Sequence, residues 1–184
     1  MLYGGGEMEK AIIGLVGVII GAFISAFVVR RSSYISSVTT ERTKWIDKLR
    51  TNIADLVGTL ATISLKSSSD TYRKSAEYDA DKRKAETLVA TVILQLNPDG
   101  SIDKNIIKLL HRLPFLAERS DKYRDAENAL ILHSQFLLKE EWEKVKYETQ
   151  SAIARWWKTD CNSEREEKYR NFCESKESFL SEIK

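Results

Sequence analysis

The stretch that decides the fold is Ala11–Val29, AIIGLVGVIIGAFISAFVV: 19 residues without a charge, among which Ser25 is the most polar. As a helix rising about 1.5 Å per residue it spans about 28 Å, close to the hydrocarbon thickness of a bilayer. Twelve of its residues are Ile, Leu, Val or Phe. At about −0.3 to −0.6 kcal/mol each near the bilayer centre, they favour insertion by about 5 kcal/mol before the glycines and Ser25 subtract. A buried core helix is the competing reading, but core helices seldom run this far without a charge. A cleaved signal peptide fits less well, because the run exceeds the usual apolar core of about 7–15 residues and Ile24-Ser25-Ala26 is a poor cleavage site.

The flanks set the expected orientation. Arg30 and Arg31 follow the span directly, with Arg42, Lys44, Lys48 and Arg50 beyond, whereas the preceding side carries Glu7, Glu9 and Lys10. The positive-inside rule places the long C-terminal part in the cytoplasm and residues 1–10 outside. Met8 is a second candidate start, since Met1 to Glu7 is a Gly-rich piece without structural logic. Within the span, Gly14, Gly17, Gly21 and Ser25 recur every three or four residues as one narrow small-residue stripe, bordered by Ala22 and Ala26. Lipid tails give helices no hydrophobic reason to associate, so close backbone approach over such a stripe is a main source of affinity. Self-association through it is expected.

Six of the eight glycines fall in the first 21 residues, so the bulk averages of 42% hydrophobic and 30% charged conceal two unlike parts. Outside the apolar run about 38% of residues are hydrophobic, below the usual apolar content of a globular domain of about 45–50%. This pattern excludes a secreted disulfide scaffold, a collagen-like fibre and a polytopic membrane protein. With only Gly58 and Gly100 left, a Gly-rich α/β nucleotide enzyme is disfavoured as well.

Beyond the span, apolar residues keep helical spacing at Tyr34, Ile35 and Val38, then at Trp45, Ile46, Leu49, Ile53, Leu56, Val57 and Leu60. The Ser/Thr-rich stretch Ser32–Thr40 is either a loop with Thr39 or Thr40 as N-cap, or a weak section of one helix running to about Lys66. The kept phase of Tyr34, Ile35 and Val38 favours the continuous helix. Ser67-Ser68-Ser69-Asp70 is a break with Asp70 as cap. A second helix to about Leu96 follows, with Ala85, Leu88, Val89, Val92, Ile93 and Leu96 as its buried stripe.

Asn97-Pro98-Asp99-Gly100 is the strongest turn signal, with Gly100 expected at positive φ. A short helix, Ser101 to Arg112, is expected to end or kink at Pro114. After it come one long helix or two abutting ones, through Leu116, Tyr123, Leu130, Phe136, Leu137, Val145, Ala152 and Trp156. Asp160-Cys161-Asn162 marks a turn, and Ser163 with Glu166 forms a capping box. The last helix carries Tyr169, Phe172, Cys173, Phe179, Leu180 and Ile183. No segment alternates with the period of a strand. The expected fold class is all-α: a transmembrane helix at 11–29, a juxtamembrane helix at 30–66, and a cytoplasmic helical domain at 67–184, in a bundle of about four to six helices.

Few residues carry chemistry. Two cysteines twelve apart, in a segment expected to face the reducing cytoplasm, suggest neither a disulfide nor zinc. His111 and His133 stand alone and read as surface or satisfied core residues. Glu140, Glu141 and Glu143 read as a solvated helix face. No glycine loop, HExxH or GxSxG is present. No catalytic residue, metal or cofactor is therefore expected, and the chain reads as a non-enzyme.

From residue 30 onward 28 Lys+Arg face 25 Asp+Glu, which gives no global field to draw in nucleic acid. Local basic patches are Lys82-Arg83-Lys84, the one-sided set Lys104, Lys108, His111 and Arg112, and Arg155-Trp156-Trp157-Lys158. The last interleaves cations with aromatic faces suited to stacking bases and pairing phosphates. It reads either as core tryptophans with solvated cations or, with Lys82-Arg83-Lys84, as a site for an anionic ligand or a partner protein.

Glu41-Arg42-Thr43-Lys44-Trp45-Ile46-Asp47-Lys48-Leu49-Arg50, just after a single span, resembles a pattern of small bacterial membrane proteins. The architecture is similar to the small membrane effectors of bacterial anti-phage systems, the Hailong type among them. The resemblance covers residues 8–66 and is architectural beyond them, so no site residue transfers. It implies a homo-oligomeric membrane channel of the bacterial inner membrane that arrests the infected cell. A nucleotide or oligonucleotide signal, made by a nucleotidyltransferase partner, would control it. In such an assembly Arg30 and Arg31 would ring the channel mouth and favour anions. A membrane-tethered adaptor that recruits a cytoplasmic partner is the alternative. If Arg155-Trp156-Trp157-Lys158 binds phosphates, Arg155→Ala/Lys158→Ala weakens oligonucleotide binding; equal retention on a phosphate column removes the patch from consideration.

Overall fold

The structure, a computed structural model, describes residues 5–119, 122–149 and 161–175. Among the described residues it is all-helical, without strands. Six helices occur in chain order: α1 (Gly5–Lys66), α2 (Asp70–Arg73), α3 (Ala76–Gln95), α4 (Ser101–Arg119), α5 (Tyr123–Thr149) and α6 (Cys161–Ser175). The chain divides into two compact units, 1–41 and 42–184.

In the first unit, α1 begins at Gly5, ahead of the apolar run, and continues through Ser32–Thr40. The continuous helix thus holds, and a loop capped by Thr39 or Thr40 does not form. The hydroxyls stay within the helix: Thr40 Oγ1 donates to the Ser36 carbonyl at 2.8 Å. Residues 12–29 are exposed throughout, with Phe23 74% accessible. A Cβ added at Gly14, Gly17 or Gly21 would meet nothing within 4 Å, so the small-residue stripe is open. By length and composition α1 is a candidate membrane span.

In the second unit, the end of α1 turns one stripe inward: Ile46, Leu49, Ile53, Leu56, Leu60 and Ile63 are buried. Spacings of three and four keep these side chains on one helix face. Ala85, Val92 and Leu96 meet them from α3 and its end, and Tyr123, Ala126, Ala129, Leu130 and Leu137 from α5. Of the stripe expected on α3, Leu88, Val89 and Ile93 are only partly buried. The most one-sided helix is α4, which buries Ile102, Ile106, Leu109, Leu110, Leu113 and Ala117 and packs most extensively on α5. Its exposed face carries Lys104, Lys108, His111 and Arg112.

Four sequence expectations are corrected. The helix expected from Asp70 to Leu96 is two helices, because Ser69 and Ser75 each start one. Their hydroxyls accept from the Tyr72 and Tyr78 amides at 3.4 and 3.2 Å, and Asp70 lies in the first turn rather than at the cap. Of the two outcomes expected at Pro114, an end or a kink, the end does not occur: α4 continues to Arg119, with Leu113 and Ala117 buried on either side of the proline. Core packing there outweighs a missing backbone bond that costs about 3 kcal/mol. Leu116 accordingly belongs to α4, not to a long helix after it.

Gly100 is not at positive φ. Its lack of a side chain instead makes room for the Asp103 carboxylate, with which a Cβ would collide. Finally, α6 already begins at Cys161, so Cys161 and Asn162 are helical and Ser163 lies inside the helix rather than at its cap. Ala152, Trp156, Phe179, Leu180 and Ile183 lie outside the described residues.

Leu110 is fully buried and Leu94 is 86% exposed. Leu110→Ala should lower unfolding free energy by about 2–5 kcal/mol. Leu94→Ala should change it by about 0.5 kcal/mol or less. Denaturant unfolding of the detergent-solubilised chain, followed by circular dichroism, checks both.

Candidate functional site

The loop between α3 and α4 is built by its polar side chains. Asn97 Oδ1 accepts from the Asp99 amide at 3.1 Å, and the Gly100 amide donates back to the Asn97 carbonyl at 3.1 Å. The buried Asp103 reaches back from the first turn of α4 to accept from the Asn97 amide at 3.0 Å. The end of α3 leaves carbonyls without intrahelical donors. One of them, Gln95, accepts from the Trp45 indole at 3.1 Å, while the Gln95 side chain accepts from Asn52 at 3.1 Å. This corner docks on α1 through hydrogen bonds as well as apolar contact.

Beside the corner an open pocket of about 390 Å³ forms, with Trp45 and Leu137 as apolar wall and Gln95 and Asn97 contributing polar groups. Cations from three helices enter it: Arg42 of α1, Lys144 of α5 and Arg165 of α6. All three approach Glu141, Lys144 at 2.8 Å, Arg165 at 3.3 Å and Arg42 at 4.0 Å. The Glu141 side chain is only 13% exposed. This corrects its expected place on a solvated face: the helix pattern shows the charge but not the cations that α1 and α6 bring to it. Of the three cations, the sequence singled out Arg42 alone, as a marker of orientation and as part of the Glu41–Arg50 pattern, not as a ligand residue. Lys144 and Arg165 carry no signal in a chain this rich in charge.

A second polar cluster runs from the half-buried Asn105 to the buried Tyr169 and His133. Asn105 donates to the Tyr169 hydroxyl at 2.8 Å, and that hydroxyl lies 2.9 Å from His133 Nδ1. The Tyr169 hydroxyl also hydrogen-bonds the Cys173 thiol, so it is shared among Asn105, His133 and Cys173. Phe136 and Phe172 pack around the pair, with Phe136 and Tyr169 ring centroids 5.3 Å apart. Burial holds the His133 pKa below its ordinary 6.5 and raises both the Tyr169 phenol and the free Cys173 thiol. His133 is thus a satisfied core residue, and His111 is exposed.

Of the expected ligand residues, the described Lys82, Arg83 and Lys84 do not line the pocket. Lys82 pairs with Glu118 at 3.0 Å and lies over the Tyr78 ring. Burial pushes the Glu118 carboxyl up, but hydrogen bonds from Lys82 and Tyr78 outweigh it and hold its pKa below the ordinary value. Arg83 and Lys84 are exposed on α3. Arg155, Trp156, Trp157 and Lys158 lie outside the described residues. Arg30 and Arg31 are exposed on α1 past the apolar run. Among the described residues no group of three or more His, Cys, Asp and Glu is placed to hold a metal ion. Neither a family model, nor a curated protein, nor a solved structure matches the chain.

The buried imidazole ties stability to pH. It binds a proton less readily folded than unfolded, so its contribution is present above pH 6.5 and is lost as pH falls through the lower folded pKa. Native chain should unfold at lower urea at pH 5.5 than at pH 7.5, and His133→Gln should narrow that difference. Tyr169→Phe, which strips Asn105 and His133 of their shared partner, should cost about 1–3 kcal/mol in the same assay.

Proposed function

We propose that the chain is a single-span membrane protein acting as a homo-oligomer: a channel- or pore-like effector of bacterial anti-phage defence, gated by an anionic signal. One observation carries this reading. Residues 12–29 of α1 form a fully exposed apolar helix whose Gly14, Gly17 and Gly21 face open space. A helix of that composition is stable in lipid, and its open stripe suits a second copy of itself better than a lipid tail. Ser25 extends the stripe, and Arg30 and Arg31 would stand at the cytoplasmic end, where positive charge favours that side and attracts anions. The resemblance to anti-phage effectors suggests an inner-membrane assembly, and the positive-inside rule favours residues 1–10 outside and the helical domain in the cytoplasm. A nucleotide or oligonucleotide is the signal this resemblance suggests. It can bias closed against open states only by binding one of them more tightly.

A membrane-tethered adaptor is the second reading, favoured by Leu65, Leu94 and Phe115, large apolar side chains left exposed on the helical domain. Particle mass in detergent separates the two. The native chain should form rings of four or more and make induced cells permeable. Gly17→Leu/Gly21→Leu should give smaller particles and no leakage. Unchanged mass and unchanged leakage in that variant would overturn assembly through the stripe, and a monomeric native particle would favour the adaptor.

A further inference from the structure

We propose that the pocket between Arg42, Lys144 and Arg165 binds a small phosphate-bearing molecule, and that its occupancy fastens α6 to α1 and α5. The proposal rests on the anionic-signal reading above and gives that signal a site. Three cations and two carboxylates, Glu141 and Asp103, are on the lining, a formal surplus of one positive charge. Asp103 is already engaged by the Asn97 amide. The cationic side chains are 27%, 27% and 19% exposed, which leaves them less screened than open-surface charges.

Two guanidiniums and an ammonium suit the several oxygens and double charge of a phosphate better than the single charge of a carboxylate, because each guanidinium fork can take two oxygens. The volume, about 390 Å³, lies in the range of small-molecule sites of about 300–1,000 Å³ and leaves room for an organic portion against Trp45 and Leu137. Glu141 stands where such a phosphate would sit and competes with it for the same cations. Each cation comes from a different helix, and α6 reaches the cleft through Arg165. A bound phosphate would thus bridge α6 to α1 and α5 more strongly than Glu141 alone.

Calorimetric titration of the full chain in detergent with pyrophosphate and with AMP tests the site. Binding is expected, weakening as salt rises. Arg165→Ala should weaken it at least about tenfold, the loss expected for one charge-assisted hydrogen bond, while Arg165→Lys should retain part of it. Glu141→Gln should bind more tightly, a gain that unfolding cannot mimic, and Lys104→Ala/Lys108→Ala should bind as the native chain does. Saturating probe should slow amide exchange in α6. In nanodiscs, competition by phosphatidylglycerol would assign the phosphate to a lipid headgroup, and lack of competition to a soluble compound. No binding of either probe with no competing lipid, or an affinity unmoved by Arg165→Ala, overturns the proposal. Particle mass and leakage do not depend on these titrations, so failure of the pocket and failure of the channel reading are separable.

Discussion

The second unit depends on one stripe of α1: Ile46, Leu49, Ile53, Leu56, Leu60 and Ile63. Each of these side chains gains about 1.5–3 kcal/mol from leaving water, and together they give the other helices a surface to pack on. The facing side chains, Val92, Leu110 and Leu130 among them, are fully buried or nearly so. The same helix carries the exposed apolar residues 12–29. One uninterrupted helix thus carries two apolar patterns. Over its end apolar residues gather on one face, as packing in water requires. Over residues 12–29 they surround the helix, the composition of a candidate membrane span.

Polar groups pin down what apolar packing leaves loose. Trp45 and Asn52 fix the end of α3 by satisfying Gln95, and Asp103 fixes the loop that follows. The Asn105–Tyr169–His133 chain sets the depth of α6 against α4 and α5, since a displaced α6 would separate the buried Tyr169 hydroxyl from the buried His133 and the half-buried Asn105. Glu141 makes a comparable tie nearer the surface, to Arg165 of α6 and Lys144 of its own helix, with Arg42 at the edge of range. Exposed ion pairs contribute little. This cluster counts for more, because the carboxylate is largely shielded from water and shared by several cations.

Helix class, the apolar span, the glycine stripe and the α1 core face are all written in local composition and spacing, which is why Ala11–Val29 and the run from Ile46 to Leu60 can be read directly. Boundaries were less legible. Ser75 is one serine among many until its hydroxyl is seen to accept from the Tyr78 amide, and Pro114 signals a stop that core packing overrides. The pocket was not legible at all. Arg42, Lys144 and Arg165 are separated by 102 and 21 positions of sequence, and nothing local distinguishes them from the chain's other cations.

By itself, then, the sequence determined the all-helical class, the one candidate span and the phase of the buried faces. These follow from short-range periodicity and from the length of an uncharged run. Tertiary structure alone decided that Glu141 is shielded rather than solvated, that burial lowers the His133 pKa, and that cations from α1, α5 and α6 share a cleft. Such convergence is set by how the helices dock, and docking depends on the summed shape and burial of many side chains rather than on any motif of neighbouring residues.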